Sequence, residues 1–332
     1  MIKYLYCPLV LLLFVGSATA QDINKVITKS YVDQLIKTLS SDEMQGRATF
    51  SPGIDKAATF IESEFKKIGL EPLKGATGYR QTFSKQQANA KSTDPAIDPQ
   101  SIAPADKLFN VAGMIPGKSK PNEYVIFSGH YDHLGIVKAV DQDSIANGAD
   151  DDASGTTAMI ALAKYYKKLN NNERTLIFVA FTAEEIGGFG ARYFSKQLNP
   201  DEVVAMFNIE MIGKESKFGK NTAFITGYER SDFGKILQKN LAGTAFTFHP
   251  DPYTEQNLFY RSDNATLAAL GVPAHTISTD QIDIDKLYHT VKDEYSSLDT
   301  ENILSTIKAI AKSAITIVNG TDTPTRIPKL KK

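Results

Sequence analysis

Cysteine occurs once and tryptophan not at all in these 332 residues, and basic and acidic side chains nearly cancel, 37 against 38. Each shortage closes a class of function. A formal charge of −1 argues against a nucleic-acid binder, which carries a basic excess or stripe. The lone Cys7 precedes the apolar run PLVLLLFVG, so it is not placed as a lipid-attachment cysteine. Beyond it no thiolate is available, and any metal must be held by His, Asp and Glu. Long apolar runs are missing as well: PLVLLLFVG is too short to span a bilayer, and no later stretch approaches the length needed.

What is present at the N-terminus has a different meaning. Lys3, the apolar run and the small residues Ala18-Thr19-Ala20 form the pattern of a secretory signal over residues 1–20, cleaved before Gln21. A secreted or periplasmic protein with no stable membrane anchor after cleavage is therefore expected. The length and a hydrophobic content of 42% fit one sizeable α/β domain or two small ones, and a single domain over 21–332 is expected.

Residues 22–43 look helical and polar, and MQGRATFSPG after them reads as a loop. DKAATFIESEFKKIG carries apolar residues at helical spacing, with Gly69 placed as a C-cap. Residues 84–108 are polar and rich in Ser, Gln, Ala, Asp and Pro, which predicts a surface excursion. From 109 the texture changes: FNVAGMIPG, YVIFSGH, RTLIFVAFTAEE, VVAMFNIEMIG and GVPAHTIST read as apolar strands, and Asp151 to Leu169 as a helix. Apolar strands alternating with helices predict a mostly parallel sheet covered on both faces, with ligands beyond the carboxyl ends of the strands. The tail TPTRIPKLKK reads as a solvated end.

Polar groups gather at those strand ends. His130 and Asp132 follow YVIFSG, Glu184 and Glu185 follow LIFVAFTA, Glu210 follows AMFNI, Asp150, Asp151 and Asp152 open the helix, and His289 comes late. Each has an ordinary explanation: a satisfied core histidine, acids at a helix N-terminus, a solvated acidic turn. Glu210 resists this, because it interrupts an apolar strand and a lone buried carboxylate is costly. A shared metal explains them together. Nitrogen and oxygen ligands without thiolate suit zinc, and the number of groups suits two ions roughly 3.5–4 Å apart with one acid left as a general base.

GHYDHLG, GADDDASG, FTAEEIGGFGARYF, FNIEMIGK and LYHTVKD, in this order over roughly 105–300, resemble the co-catalytic zinc aminopeptidase family. Its members include secreted bacterial leucyl-type aminopeptidases, glutamate carboxypeptidase II and the glutaminyl cyclases. GR…SPG…AATFI and NVAGMIPG upstream are similar to family stretches too. The resemblance implies a three-layer α/β/α sandwich with a mixed, largely parallel sheet, and two zinc ions per chain. His130 and Glu210 would bind one zinc, Glu185 and His289 the other, and Asp151 would bridge them. Asp132 would orient His130, Glu184 would be the general base, and Tyr288 would polarise the scissile carbonyl or serve as packing. Two departures stand out. Glu210 occupies a position that is aspartate in most aminopeptidases of the family, and RSDNATLAALGVPA carries Asn264 where the family has histidine. Asp263 is expected as a structural or pocket residue, His133 and His275 as non-ligands, and His249 as a loop residue without a role.

The expected activity is that of a metallo-aminopeptidase acting on peptide substrates. A dipeptidase or carboxypeptidase would share every ligand but need a basic pocket, for which Arg192, Arg230 and Arg261 are available. A glutaminyl cyclase is disfavoured because its pocket normally uses tryptophan. A non-catalytic binding protein is disfavoured because ligands and base are all present.

Overall fold

The computed structural model describes residues 22–90 and 101–330. The expected signal over 1–20 and the middle of the 84–108 stretch lie outside them. In chain order the elements are α1 (Ile23–Val26), α2 (Lys29–Leu39), α3 (Pro52–Ile68), β1 (Glu71–Pro72), β2 (Arg80–Phe83), α4 (Lys85–Asn89), β3 (Leu108–Ile115), β4 (Lys120–His130), β5 (Gly135–Val140), β6 (Asp143–Ala146), α5 (Gly155–Leu169), β7 (Arg174–Phe181), α6 (Phe189–Lys196), β8 (Val203–Ile209), β9 (Thr222–Ile225), α7 (Phe233–Asn240), β10 (Thr247–Pro250), α8 (Asn264–Ala269), β11 (Ala274–Ser278), α9 (Thr300–Ser313) and α10 (Ile315–Val318).

Local chemistry sets several of these boundaries. Helix α3 starts where Ser51 accepts a hydrogen bond from the Gly53 amide and Pro52 takes the first helical position. It stops at Gly69, whose φ of 82° lets its amide and that of Leu70 return to the Phe65 carbonyl.

The main sheet runs β1-β3-β7-β4-β8-β11-β9-β10, with β2 also on β3. Its centre is parallel: β7, β4, β8 and β11 all run one way. Strand β3 joins β7 antiparallel, and β9 joins β11 antiparallel. Helices α2, α3, α5, α7 and α9 pack together on one face; α6 and α8 cover the other. The three-layer α/β/α architecture with a mixed sheet is thus the one expected. Two-sided cover explains the unbroken apolar strands, since all eight residues of β7 are buried. At the centre, the Phe127 ring lies 5.4 Å from Phe178, 4.8 Å from Phe207 and 5.4 Å from Tyr166. Burying each such ring stabilises the fold by about 1.5–3 kcal/mol.

Three expectations are corrected. The helix after GAD begins at Gly155, because Asp151 and Asp152 have non-helical backbone angles and serve as hydrogen-bonding loop residues. The described part of the tail is not a solvated end: Ile327 is buried, its amide donates to the Gly271 carbonyl, and Arg326 donates to the carbonyls of Val203 and Pro200. His249 sits in edge strand β10, its ring stacked 4.0 Å from Phe218, not in a loop. Among the described residues, no helix is long and apolar enough to cross a membrane.

Candidate metal centre

The parallel strands deliver their acids and imidazoles to one place. His130 ends β4, Glu184 and Glu185 lie in the turn after β7, and Glu210 follows β8. Strand β4 lies between β7 and β8, so the three strand ends are adjacent. Asp151 enters above them from the loop between β6 and α5.

Three supports hold that loop. Asp152 accepts from the Gly155 amide at 2.9 Å, the Met211 amide at 3.2 Å and the His130 amide at 3.1 Å, tying the start of α5 to the ends of β4 and β8. Asp293 accepts from the amides of Asp150 and Asp151 at 2.9 and 3.0 Å, which joins the loop to the segment carrying His289. Arg47, fully buried, donates to the carbonyls of Leu39, Tyr131, Asn147 and Gly148 at 2.5–2.9 Å. Gly148 has φ 54°, and a Cβ there would come within 2.4 Å of the His133 ring, so only glycine fits.

Asp151 divides its oxygens. Oδ1 lies 3.1 Å from His130 Nε2; Oδ2 lies 3.1 Å from His289 Nε2 and 3.6 Å from His133 Nδ1. Glu185 meets His289 Nε2 at 3.1 Å and His133 Nδ1 at 2.8 Å. His130, Asp151 and Glu210 form one group able to hold a cation, and His133, Asp151 and Glu185 a second. Their short contacts are largely not hydrogen bonds: His130 Nε2 and Asp151 Oδ2 are buried without a hydrogen-bond partner. Unpaired donor atoms converging in a buried site are the arrangement metal ligation resolves, and the N/O set suits zinc. The residues fit such ions.

Electrostatics reflect this crowding. Burial works against the Asp151 charge, but the His130, His289 and His133 rings outweigh it and hold the carboxyl well below its ordinary range. The Asp151 and Glu185 carboxylates, each 3.1 Å from its Nε2, raise His289 to about 10. Glu184 goes the other way: burial pushes it well above the usual carboxylate value, His130 opposes, and Glu210, Asp263 and Asp132 add to the rise. Its carboxylate has no ion pair or hydrogen bond among the described residues. Glu184 lines a cavity with Asp151, Glu185, Glu210 and Tyr288.

Other expected residues are placed differently. The Asp132 carboxylate does not hydrogen-bond the His130 ring; its nearer oxygen is 3.8 Å from Nδ1, which meets the Asp132 backbone carbonyl at 3.1 Å instead. The carboxylate accepts from the Glu184 amide and from Thr49 Oγ1, both at 3.1 Å, so it anchors the Glu184 turn. Tyr288 lines the cavity and stacks on His289 at 3.8 Å. Asp263 is buried at the start of α8, off the cavity wall, with neither oxygen hydrogen-bonded. His133, expected to be a bystander, stands against both Asp151 and Glu185. His275 is structural: its ring nitrogens meet Ser231 Oγ and the Thr226 carbonyl, each at 2.8 Å. Arg47 and Asp293 were quoted in GR and LYHTVKD without a role; their only signal in sequence was adjacency to those motifs.

A model of peptidase family M28 matches residues 110–314, more than half the chain. The chain belongs to peptidase family M28. A probable zinc metalloprotease of Pyrenophora teres f. teres is 28% identical over 204 residues, 61% of this M28 chain and 38% of that protein. Leucine aminopeptidase 1 of Ajellomyces capsulatus is 25% identical over 214 residues, 60% of this chain and 54% of that one. The M28 chain spans about two-fifths of the length of the first of these. Among solved structures, the LapA aminopeptidase of Legionella pneumophila is similar with a TM-score of 0.65 at 18% identity, covering 90% of this chain and 74% of that one. That likeness is one of fold.

Proposed function

We propose that this M28 chain is an exported zinc-dependent aminopeptidase that removes N-terminal residues from peptides. The observation that carries the reading is Asp151, which offers one oxygen to each of two His–carboxylate sets, beside the unpartnered Glu184. His130 and Glu210 would hold one zinc, Glu185 and His289 the other, with Asp151 shared and His133 supporting Glu185. Two such ions supply Lewis-acid polarisation of a water and of the scissile carbonyl. Glu184 accepts the proton of the attacking water and returns it to the leaving amine, a role its position on the cavity wall suits. Asp132, by holding the Glu184 amide, keeps that carboxylate facing the cavity. Tyr288, which lines the cavity and stacks on His289, would donate a hydrogen bond from its hydroxyl to the developing oxyanion or serve as packing. The substrate's α-amine would be met by the carboxylates around the ions. Export rests on the pattern of residues 1–20, and N-terminal sequencing of the mature chain should begin at Gln21.

The test is hydrolysis of free and N-acetylated aminoacyl anilides by wild type and Glu184→Gln, before and after chelation. Free amines alone should be cleaved, chelation should abolish turnover, and Glu184→Gln should lower kcat by about 10²–10⁴-fold while still binding zinc. Zinc-loaded protein that cleaves none of these substrates would exclude the aminopeptidase reading.

A further inference from the structure

The cavity holds a cation that neither the carboxylate cluster nor the fold employs. Of the three arginines available to meet a substrate carboxylate, two are engaged elsewhere. Arg192 donates to Asn89 Oδ1 at 2.9 Å and to the Gly187 carbonyl, and lies over the Phe189 ring. Arg230 lies over the rings of Phe259 and Tyr260 at 4.7 and 5.3 Å, with Glu229 3.6 Å away. Arg261 alone of the three lines the cavity that contains Glu184, Glu210 and Asp151. Its side chain makes no ion pair or hydrogen bond among the described residues.

The backbone around Arg261 is tied to the centre. Its amide closes the turn Leu258–Tyr260 onto the Leu258 carbonyl at 3.1 Å. The next residue, Ser262, accepts from Asn208 Nδ2 at 2.6 Å, and Asn208 lies two positions before Glu210. The guanidinium therefore issues from a turn pinned to the strand that delivers a candidate ligand. The rest of that wall is mixed, with Met211, Phe224, Leu258 and Ile282 beside the hydroxyl residues Thr226, Ser262, Thr276 and Ser278. The fifth carboxylate of the lining, Asp280, is buried with neither oxygen hydrogen-bonded; burial raises it to about 8, with Asp150 and Asp285 adding to the rise and Lys214 opposing. A planar guanidinium on the cavity wall, with no internal partner, matches a carboxylate by paired N–H···O bonds.

We propose that Arg261 receives a carboxylate of the substrate, so that this cavity favours short peptides with a free carboxylate near the scissile bond. That carboxylate is either the C-terminus of a dipeptide or an acidic side chain. The inference rests on the cavity being the place where peptides are cut. The experiment compares kcat/KM of the zinc-loaded protein for Leu-Gly against Leu-Gly amide, and for glutamyl against glutaminyl anilide, in wild type and Arg261→Gln. Binding of leucine and leucinamide to both proteins is measured by calorimetry.

Wild type should prefer one acid over its amide, and Arg261→Gln should lower that preference about tenfold, the worth of one charge-assisted bond. A loss confined to Leu-Gly assigns the C-terminal carboxylate; a loss confined to the glutamyl anilide assigns the side chain. Leucine binding weakened in the variant with no anilide cleaved by either protein would remove the aminopeptidase reading and leave the anchor standing. Equal preference in wild type and variant, or, where no anilide is cleaved, failure of the wild type to bind leucine more tightly than leucinamide, overturns the proposal.

Discussion

Arg174, at the start of β7, and Asp151, beyond the opposite ends of the same strands, are both buried charges, yet their surroundings differ. Arg174 donates to Glu123, to the carbonyls of Ile317 and Asp322 and to Thr323 Oγ1, all at 2.5–2.7 Å. Asp151 leaves Oδ2 without a hydrogen bond, and the facing His130 Nε2 is without one too. One end of the sheet closes its charge internally, which stabilises the chain. The other leaves donor atoms aimed at a common space, a cost that a bound cation would offset. The difference teaches where stability and binding were separated in this fold.

Breaking the satisfied end should produce the largest effect on stability. Arg174→Met keeps much of the side-chain volume but strips four hydrogen bonds, two of them to backbone carbonyls. Urea unfolding should show a loss of about 3 kcal/mol or more, with zinc binding by the folded protein intact. A loss below about 1 kcal/mol would erase the contrast between the two ends.

A pH experiment probes the structural histidine beside the site. Burial lowers His275 to about 4, with the Thr226 hydrogen bond opposing and Arg230 adding to the fall. Because the folded value lies below the unfolded one near 6.5, the unfolded chain takes up the proton first. Stability from this group is whole above pH 6.5 and declines as pH falls toward 4, by about 3 kcal/mol. In chelated protein, denaturation from pH 7 to 4 should lose that much more for wild type than for His275→Asn. Parallel profiles would show that the ring is charged in the fold.

Asp151→Asn sharpens the unsatisfied end. Wild type should gain about 2.7 kcal/mol at zinc one-hundredfold above its dissociation constant, and the variant should gain little. A variant stabilised by zinc as strongly as wild type would show that Asp151 is not shared between two ions.

Much of this was legible in residues alone. The five strand assignments from FNVAGMIPG to GVPAHTIST stand, because strands buried on both faces must be continuously apolar. Glu210 was legible as an exception to that apolarity. Strands β9 and β10 were not identified: each has four residues, too short for a pattern to show. The beginning of α5 was misplaced by four residues, because three consecutive aspartates look alike in sequence while their backbones diverge. Asp152 accepts from three amides, and Asp151 faces the histidines.

The sequence by itself determined the fold class and the identity of the groups that meet, since burial pattern and residue chemistry are local properties of the chain. Tertiary structure alone decided how they meet. His133 was passed over because the direction of a side chain in a turn depends on what holds the turn. Here its amide donates to the Arg47 carbonyl, from a segment more than eighty residues away, and swings the ring to Glu185. Asp132, expected to orient His130, meets that ring through its backbone carbonyl while its carboxylate holds the Glu184 turn. Arg261 could not be told from Arg192 and Arg230 until the packing engaged two of them. Such choices turn on distances between residues far apart in the chain, and only the folded backbone sets those.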